Sequence, residues 1–482
     1  MASQRRPAPC GPSDRPIRPD PSRSTMTDPL RRSLPLTSRP GNGILFRRNG
    51  ESIAVGRFLA DVAALAARLP PRTHALNLCA DRYNALLAFA AALSRGQVVL
   101  LSSDRSERRL AEISAAYPDL ALLVDAEIEA VRGEAPWEPP PGAIRVAPLA
   151  IPRPDGPNPR IPLDQVAVIG FTSGSTGRPA AHPKTWETLV AATVAAGERF
   201  GLQGGADIVA TVPPQHMYGF ETTIMLPLHV PTTSHAGPCF YPVEVAEALH
   251  AAPGPRVLVS TPLQLRALLG AGTAMPPIEA VISATAPLDP ALAAAVEAGW
   301  NTRMLEIYGA TEMGSIASRR TLEGDCWTLY RNVSLRQAKD MPDGTEALVE
   351  GMAAPVPLAD AVELKEGSQF RLLGRRTDIV KLGGKRASLA SLNRILLGIP
   401  GVEDGVFAVP EDLDRNPSAR LAVFAVAPGL TAEAILAALR REIEPVFLPR
   451  VVTLVPALPR DAVGKLPRAA LEGLRRQVAG LA

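Results

Sequence analysis

Two hydrophobic periods alternate along this chain. Apolar positions at helical spacing over Phe58–Leu69 give way to a short apolar run, Ala75–Cys79, that reads as a strand. The exchange repeats with Tyr83–Arg95 as a helix, Val98–Leu101 as a strand, Ser106–Tyr117 as a helix and Leu120–Val124 as a strand. Alternation of this kind implies a parallel sheet with covering helices. Within it, the Ala-rich stretch Ala85–Leu93 reads as a buried helix. Pro136–Pro162 is dense in Pro and Gly and reads as a linker inside a large domain; alternation then resumes from Val166 to about Tyr308. Shorter, turn-punctuated segments from Thr321 to Leu373 predict a small β-rich part. A boundary is expected just after Arg375, followed by an α+β unit with strands at Gly405–Val409 and Leu421–Val426 and a helix over Thr431–Glu442.

The expected fold class is α/β. A large N-terminal domain spans 41–375, with parallel-rich sheets covered by helices plus the small β-rich part, and a small α+β C-terminal domain spans 376–482. Residues 1–40 are rich in Pro, Arg and Ser and hold too few apolar side chains to fold alone, so disorder is expected there. They lack the apolar core of a signal peptide, and Met26 is an alternative start.

Composition removes several classes. The 482 residues allow two or three domains, and 46% hydrophobic with 21% charged residues is the balance of a soluble globular protein. With 51 basic and 48 acidic residues the net charge is +3, which gives no case for nucleic acid or membrane attraction. No apolar run reaches the roughly 18 residues that span a bilayer. Cys10, Cys79, Cys239 and Cys326 show neither metal-ligand nor CxxC spacing, and the histidines form no HxxxH or HExxH pattern. A reducing, cytoplasmic location without a disulfide framework is expected, with Cys79 as a small core hydrophobe.

The chemistry concentrates in Phe171–Pro183, where Thr172, Ser173, Ser175 and Thr176 alternate with Gly174 and Gly177 directly after the apolar run Val166–Gly170. A strand running into such a loop can bring backbone N–H and hydroxyl groups onto a phosphate, although the same composition also makes plain turns. The loop is neither a Walker A motif nor a nucleophile elbow, because the residues that either requires are missing. Three further segments follow in order: Tyr308-Gly-Ala-Thr-Glu312; Gly374-Arg-Arg-Thr-Asp378 with Lys381 and Gly383-Gly-Lys-Arg386; and Pro459-Arg-Asp-Ala-Val-Gly-Lys465.

Together these four segments resemble the ordered core motifs of the adenylate-forming (AMP-binding) superfamily. That superfamily includes acyl-CoA synthetases, aryl-acid ligases, peptide-synthetase adenylation domains and luciferases. The resemblance covers the chain from about Pro40 to its end. It implies ATP and Mg²⁺ as cofactors, a carboxylic acid substrate, and CoA or the phosphopantetheine of an acyl carrier protein as thiol acceptor. It implies that Thr172, Ser173, Gly174, Ser175, Thr176 and Gly177 cradle the triphosphate. Glu312 would hold Mg²⁺, Thr311 would contact the α-phosphate, and Tyr308 would flank the adenine with Thr285, Ala286 and Pro287. Asp360 and Arg375 would bind the ribose, and Arg386 a phosphate in the second half-reaction. Lys465, on a mobile C-terminal domain, would be the catalytic lysine, and His216 the gate beside the acyl pocket. Tyr218, Gly219 and Phe220 would line that pocket, while Glu221 reads as a helix-start residue.

The sequence departs from the family pattern at three places. Ala180 stands where a lysine is usual, with Arg178 and Lys184 nearby; Thr377 stands at the hinge; and Pro-Leu-Ala precedes Asp360. The details of the loop and of Lys381–Ser388 look most like ligases of aryl-polyene and xanthomonadin-type clusters, which implies a hydroxybenzoate-type or fatty starter loaded onto a carrier, the hydroxybenzoate-type acid being the leading expectation. A fatty acyl-CoA synthetase and a nucleotide-binding protein that has lost catalysis are the alternatives.

Overall fold

The computed structural model describes residues 32–102, 104–125, 139–172, 180–237, 239–338, 344–375, 379–382, 385–409, 420–460, 466 and 468–480. Two large sheets carry most of the chain. The first runs, in spatial order, through Ala180–Thr185, Val166–Thr172, Val98–Leu101, His74–Asn77, Leu120–Val124 and Ile144–Arg145. Its opening pair is antiparallel and the rest are parallel. The second holds eleven strands, with a parallel centre from Ile44–Arg48 through Thr232–His235, Ala206–Ala210, Arg256–Ser260 and Ala280–Ser283 to Arg303–Ala310. Its central parallel strands, Ala206–Ala210, Arg256–Ser260 and Ala280–Ser283, are short and mainly apolar, as strands buried on both faces must be.

Helix Arg82–Ser94 explains how the layers fit together. Every residue of it but Ser94 is buried. Its alanines keep it thin enough to be enclosed on all sides, and Asp81 caps it by accepting a 2.9 Å hydrogen bond from Asn84 N. Helix Val55–Arg68 packs one stripe, Val55, Phe58, Leu59, Val62 and Leu65, into the same core. The buried Asp61 carboxylate accepts from Tyr83 Oη at 2.6 Å and from Leu149 N at 2.9 Å, so that charge is buried with partners.

Two expectations need correction. The segment 1–40 enters the fold before its end: Ser33–Pro35 pairs with Arg160–Pro162, and Leu36 is fully buried. The 136–162 linker is not wholly irregular, since Ile144–Arg145 adds a strand to the first sheet and Arg160–Pro162 supplies that partner. The small β-rich part lies within the N-terminal domain, as expected. Cys326–Leu329, Asp360–Leu364 and Gln369–Arg375 extend the second sheet by antiparallel pairing, and Val333–Gln337, Thr345–Val349 and Val356–Pro357 form a three-stranded sheet beside it.

Beyond residue 379 a hairpin, Ile379–Leu382 with Lys385–Ser388, precedes helix Leu389–Leu397. Asp404–Ala408, Ala422–Val426 and Val451–Leu454 then form a sheet covered by helix Ala432–Glu442. Val380, Leu396, Phe407, Val423, Ile435 and Leu439 make a core of their own there.

Candidate active site

The two sheets meet where their strands end, and three chain segments touch at that point. Strand Val166–Thr172 turns back as Ala180–Thr185, with Thr172 opposite Ala180 and Thr172 Oγ1 2.9 Å from His182 Nε2. Ser173, Gly174, Ser175, Thr176 and Gly177 lie outside the described residues. A Cβ on Gly170 would stand 2.7 Å from Thr311 Cγ2 and 3.1 Å from Met217 Cε. Only glycine admits that approach, so the Val166–Thr172 strand, the Thr311–Glu312 turn and the segment after His216 are held in contact.

The turn closes a hairpin between Arg303–Ala310 and Gly314–Arg320. Gly314 adopts φ +78°, and a Cβ there would meet Glu221 Oε1 at 2.7 Å. Tyr308 packs its ring against Trp327 and Phe370, with centroids 5.6 and 5.7 Å away, and its hydroxyl donates to Asp360 Oδ2 at 2.7 Å. Asp360 pairs across the sheet with Arg375, whose side chain is outside the described residues. Thr311 and Glu312 are half-buried. Lys184 Nζ donates to the backbone carbonyl of Glu312, which anchors the turn from beneath.

The parallel strand Ala280–Ser283 ends beside this hairpin, Ser283 standing opposite Glu306. Thr285, Ala286 and Pro287 follow it and are exposed. Thr285 holds φ +79°, an outlying conformation for a β-branched residue. His216 is exposed and caps the short helix Met217–Gly219, its Nδ1 accepting from Tyr218 N at 3.3 Å. These groups share one edge of the fold, at the carboxyl ends of the parallel strands, where open α/β sheets bind ligands.

Sequence comparison decides the family. The AMP-binding enzyme family matches residues 73–357. The chain belongs to that family. The 4-coumarate–CoA ligase of Rhodobacter capsulatus is 31% identical over 237 residues, 48% of this chain and 58% of that protein, so the match spans a little over half of that relative. The probable 2-succinylbenzoate–CoA ligase of Mycobacterium tuberculosis is 28% identical over 334 residues, 64% of this chain and 84% of that one. Among solved structures, ATP-bound MatB from Rhodopseudomonas palustris superimposes with a TM-score of 0.73 at 17% identity, covering 91% of this chain and 97% of that one. At that identity the likeness establishes the fold.

For an AMP-binding enzyme the described residues fit a nucleotide and its metal. The Glu312 carboxylate makes no hydrogen bond or ion pair with any described residue and is half-buried. Among the described residues no group of three acidic, His or Cys side chains could cage an ion. Mg²⁺ beside phosphates needs no such cage, because one carboxylate, the phosphate oxygens and water complete its shell. Among the described residues no helix is long and apolar enough to cross a membrane. Arg386 is placed on the Lys385–Ser388 strand opposite Lys381, its side chain outside the description, and Lys465 lies outside the described residues.

Two residues hold this cluster together more than the sequence suggested. Lys184 is 2% exposed, and burial lowers its pKa to about 8 against the pull of Glu221 and Glu312. Glu221 is the second residue of the π-helical turn Phe220–Met225, a helix-start position as read from the sequence, and it also accepts from Ser315 N at 3.2 Å and from Ser315 Oγ. Burial raises its pKa, and the Ser315 hydrogen bonds and Lys184 oppose that rise. The Tyr218 hydroxyl donates to the carbonyls of Ser260 and Ile282 and ties two strand ends together. The one local clue to Glu221 was a charge inside an apolar run.

Proposed function

We propose that the protein is an AMP-forming acid–thiol ligase. A carboxylate oxygen of the substrate attacks the α-phosphorus of ATP, the bond from that phosphorus to the pyrophosphate oxygen breaks, and an acyl-adenylate forms. A thiol sulfur then attacks the acyl carbon, AMP leaves with its oxygen, and a thioester results. The observation that carries this reading is the 2.7 Å hydrogen bond from Tyr308 to Asp360, which joins two motif segments 52 residues apart beside the Thr311–Glu312 turn.

In this reading Asp360 accepts the ribose hydroxyls with Arg375 beside it, and Tyr308 and Thr285–Pro287 flank the purine. The loop from Thr172 to Gly177 receives the triphosphate, and Thr311 faces the α-phosphate. Glu312 would hold Mg²⁺, which when bound would offset charge on the phosphates. The unit 376–482 rotates against 41–375, bringing Lys465 to the first step and the Gly383–Arg386 turn to the second. His216 gates the acyl pocket.

The acid is aromatic, of hydroxybenzoate type, a class supported by the relatives' own acids, 4-coumarate and 2-succinylbenzoate. CoA, or the phosphopantetheine of a carrier protein, accepts the acyl group. Substrate-dependent ATP–pyrophosphate exchange across hydroxybenzoates, cinnamates and fatty acids tests the reading. Exchange with an aromatic acid, followed by thioester formation on CoA or a holo-carrier, is expected. Exchange with medium-chain fatty acids alone would replace the acid class. Silence with every acid, in protein that binds ATP, would make the chain a nucleotide-binding protein without catalysis.

A further inference from the structure

Strands Val166–Thr172 and Ala180–Thr185 pair antiparallel, with Thr172 opposite Ala180, Gly170 opposite His182 and Val168 opposite Lys184. Residues directly opposite one another share a face, as do residues two apart on one strand. The contacts show which face this is. Gly170 is directed at Thr311 Cγ2 and Lys184 donates to the Glu312 carbonyl, so the face carries the Thr311–Glu312 turn. Phe171, one residue out of step, lies on the other face, where its ring meets Tyr117 and the Arg109 guanidinium. A row of three side chains, Ala180, His182 and Lys184, therefore runs from beside Thr172 to beneath the turn.

The three differ in what they can offer. Ala180 has only a methyl group. Lys184 is 2% exposed, and its ammonium is engaged by the Glu312 carbonyl. His182 is half-buried, and its Nε2 stands 2.9 Å from Thr172 Oγ1. Burial lowers the His182 pKa against the pull of Glu312, and Lys184 lowers it further, so at neutral pH the ring is mainly uncharged and carries one N–H. The bond to Thr172 then has two forms. With Nε2 unprotonated, the Thr172 hydroxyl donates to the ring and has no proton for another acceptor. With Nε2–H, the ring donates, Thr172 Oγ1 accepts, and the hydroxyl proton is left to donate elsewhere. An anion beside Thr172 favours the second form, because it takes up that proton and two hydrogen bonds in series strengthen one another.

We propose that His182 is a positioning residue of the triphosphate site: its Nε2–H donates to Thr172 Oγ1 and directs the Thr172 hydroxyl proton onto a β- or γ-phosphate oxygen of ATP. The contact of Thr172 with phosphate belongs to the ligase reading, on which the inference rests. What is added is the imidazole that turns the hydroxyl. A neutral ring thus supplies, through Thr172, a donor that Ala180 cannot.

The test is titration calorimetry of ATP and of AMP on the full chain, native and with His182→Leu, His182→Gln and Thr172→Val, each variant first shown to be folded by thermal unfolding. Leucine removes the donor, whereas glutamine keeps an amide N–H at the reach of Nε2. His182→Leu and Thr172→Val should each weaken ATP by about 10-fold, their double variant should be no weaker than either, and His182→Gln should stay within about 3-fold of native. AMP, which lacks the β- and γ-phosphates, should bind each variant as it binds the native protein. In pyrophosphate exchange, His182→Leu should raise the KM for ATP by about 10-fold and leave the KM for the acid unchanged. Equal losses of ATP and AMP affinity would make His182 merely structural and overturn the inference. Native ATP affinity in His182→Leu, additive losses in the double variant, or a His182→Gln as weak as His182→Leu would overturn it too. Silence in exchange with every acid would remove the ligase reading, while the ATP and AMP titrations would still decide the role of His182.

Discussion

Gly170→Ala probes the point where three segments of the site touch. The added methyl would lie 2.7 Å from Thr311 Cγ2 and 3.1 Å from Met217 Cε. Carbon atoms rest about 3.5–4.0 Å apart, so Thr311 must retreat by roughly 1 Å. Met217 can yield, because the atom concerned is the end of a flexible side chain. Thr311 cannot yield freely, because the next residue is held by Lys184 through the Glu312 carbonyl. Overpacking of this kind costs about 1–3 kcal/mol of stability, and a displacement near 1 Å at a reacting centre costs on the order of 100-fold in rate. The expected outcome is a modest fall in the unfolding midpoint with a loss of about 100-fold in the kcat of pyrophosphate exchange. Thr311→Ser removes Cγ2 and keeps the hydroxyl, so the double variant should recover at least 10-fold of that loss, a coupling that independent sites would not show. Full exchange activity in Gly170→Ala would refute the contact as a determinant of the site.

Three further outcomes follow from single groups. Tyr308→Phe keeps the ring packing but removes the 2.7 Å hydrogen bond to Asp360, and should raise the KM for ATP about 10-fold with little change in kcat; titration calorimetry with ATP gives an independent check. Thr285→Gly relieves an exposed β-branched residue at φ +79°, and should stabilise the fold by about 1 kcal/mol in chemical denaturation, where a lower midpoint would contradict the strain. Lys184 has its pKa lowered from 10.5 to about 8 by burial, so below pH 8 folded and unfolded chains both carry the ammonium and the cost of burying it is fully present. Between pH 8 and 10.5 the unfolded chain holds more protons, so stability rises with pH there; relative to Lys184→Met, the native protein should gain stability across that window, and a flat difference would contradict the shift.

The fold was legible where one buried element carries one period. Val98–Leu101 and Leu120–Val124 match the strands read from the sequence residue for residue, because each is a single apolar run between polar ends. Ser33–Pro35 was not legible: it is three residues long, holds a proline, and pairs with a segment 127 residues away. The place of Cys326–Leu329 was hidden for a related reason. Its turn-punctuated surroundings mark β-structure, but strand order depends on long-range pairing with Gln369–Arg375. In the site, the motif segments mark themselves by composition, so Tyr308 and Asp360 could be named before their hydrogen bond was seen. Glu221 could not, since the serine that explains it stands 94 residues further on.

Lys184 shows how a missing motif residue changes the electrostatics of the site rather than only subtracting from it. The loop lacks a lysine at Ala180, and four residues later a lysine occupies a strand position whose side chain faces the interior. Its ammonium is tied to the backbone of Glu312 and lies close enough to Glu221 for each to oppose the burial shift of the other. One cation therefore stands between the carboxylate proposed to hold Mg²⁺ and the carboxylate that receives both Ser315 hydrogen bonds. A buried carboxylate without such a partner has a stronger tendency to take up a proton. By this argument Lys184 opposes protonation of Glu221 while it holds the Thr311–Glu312 turn in place. The Glu221–Ser315 pair and the Thr311–Glu312 turn then depend on the same side chain.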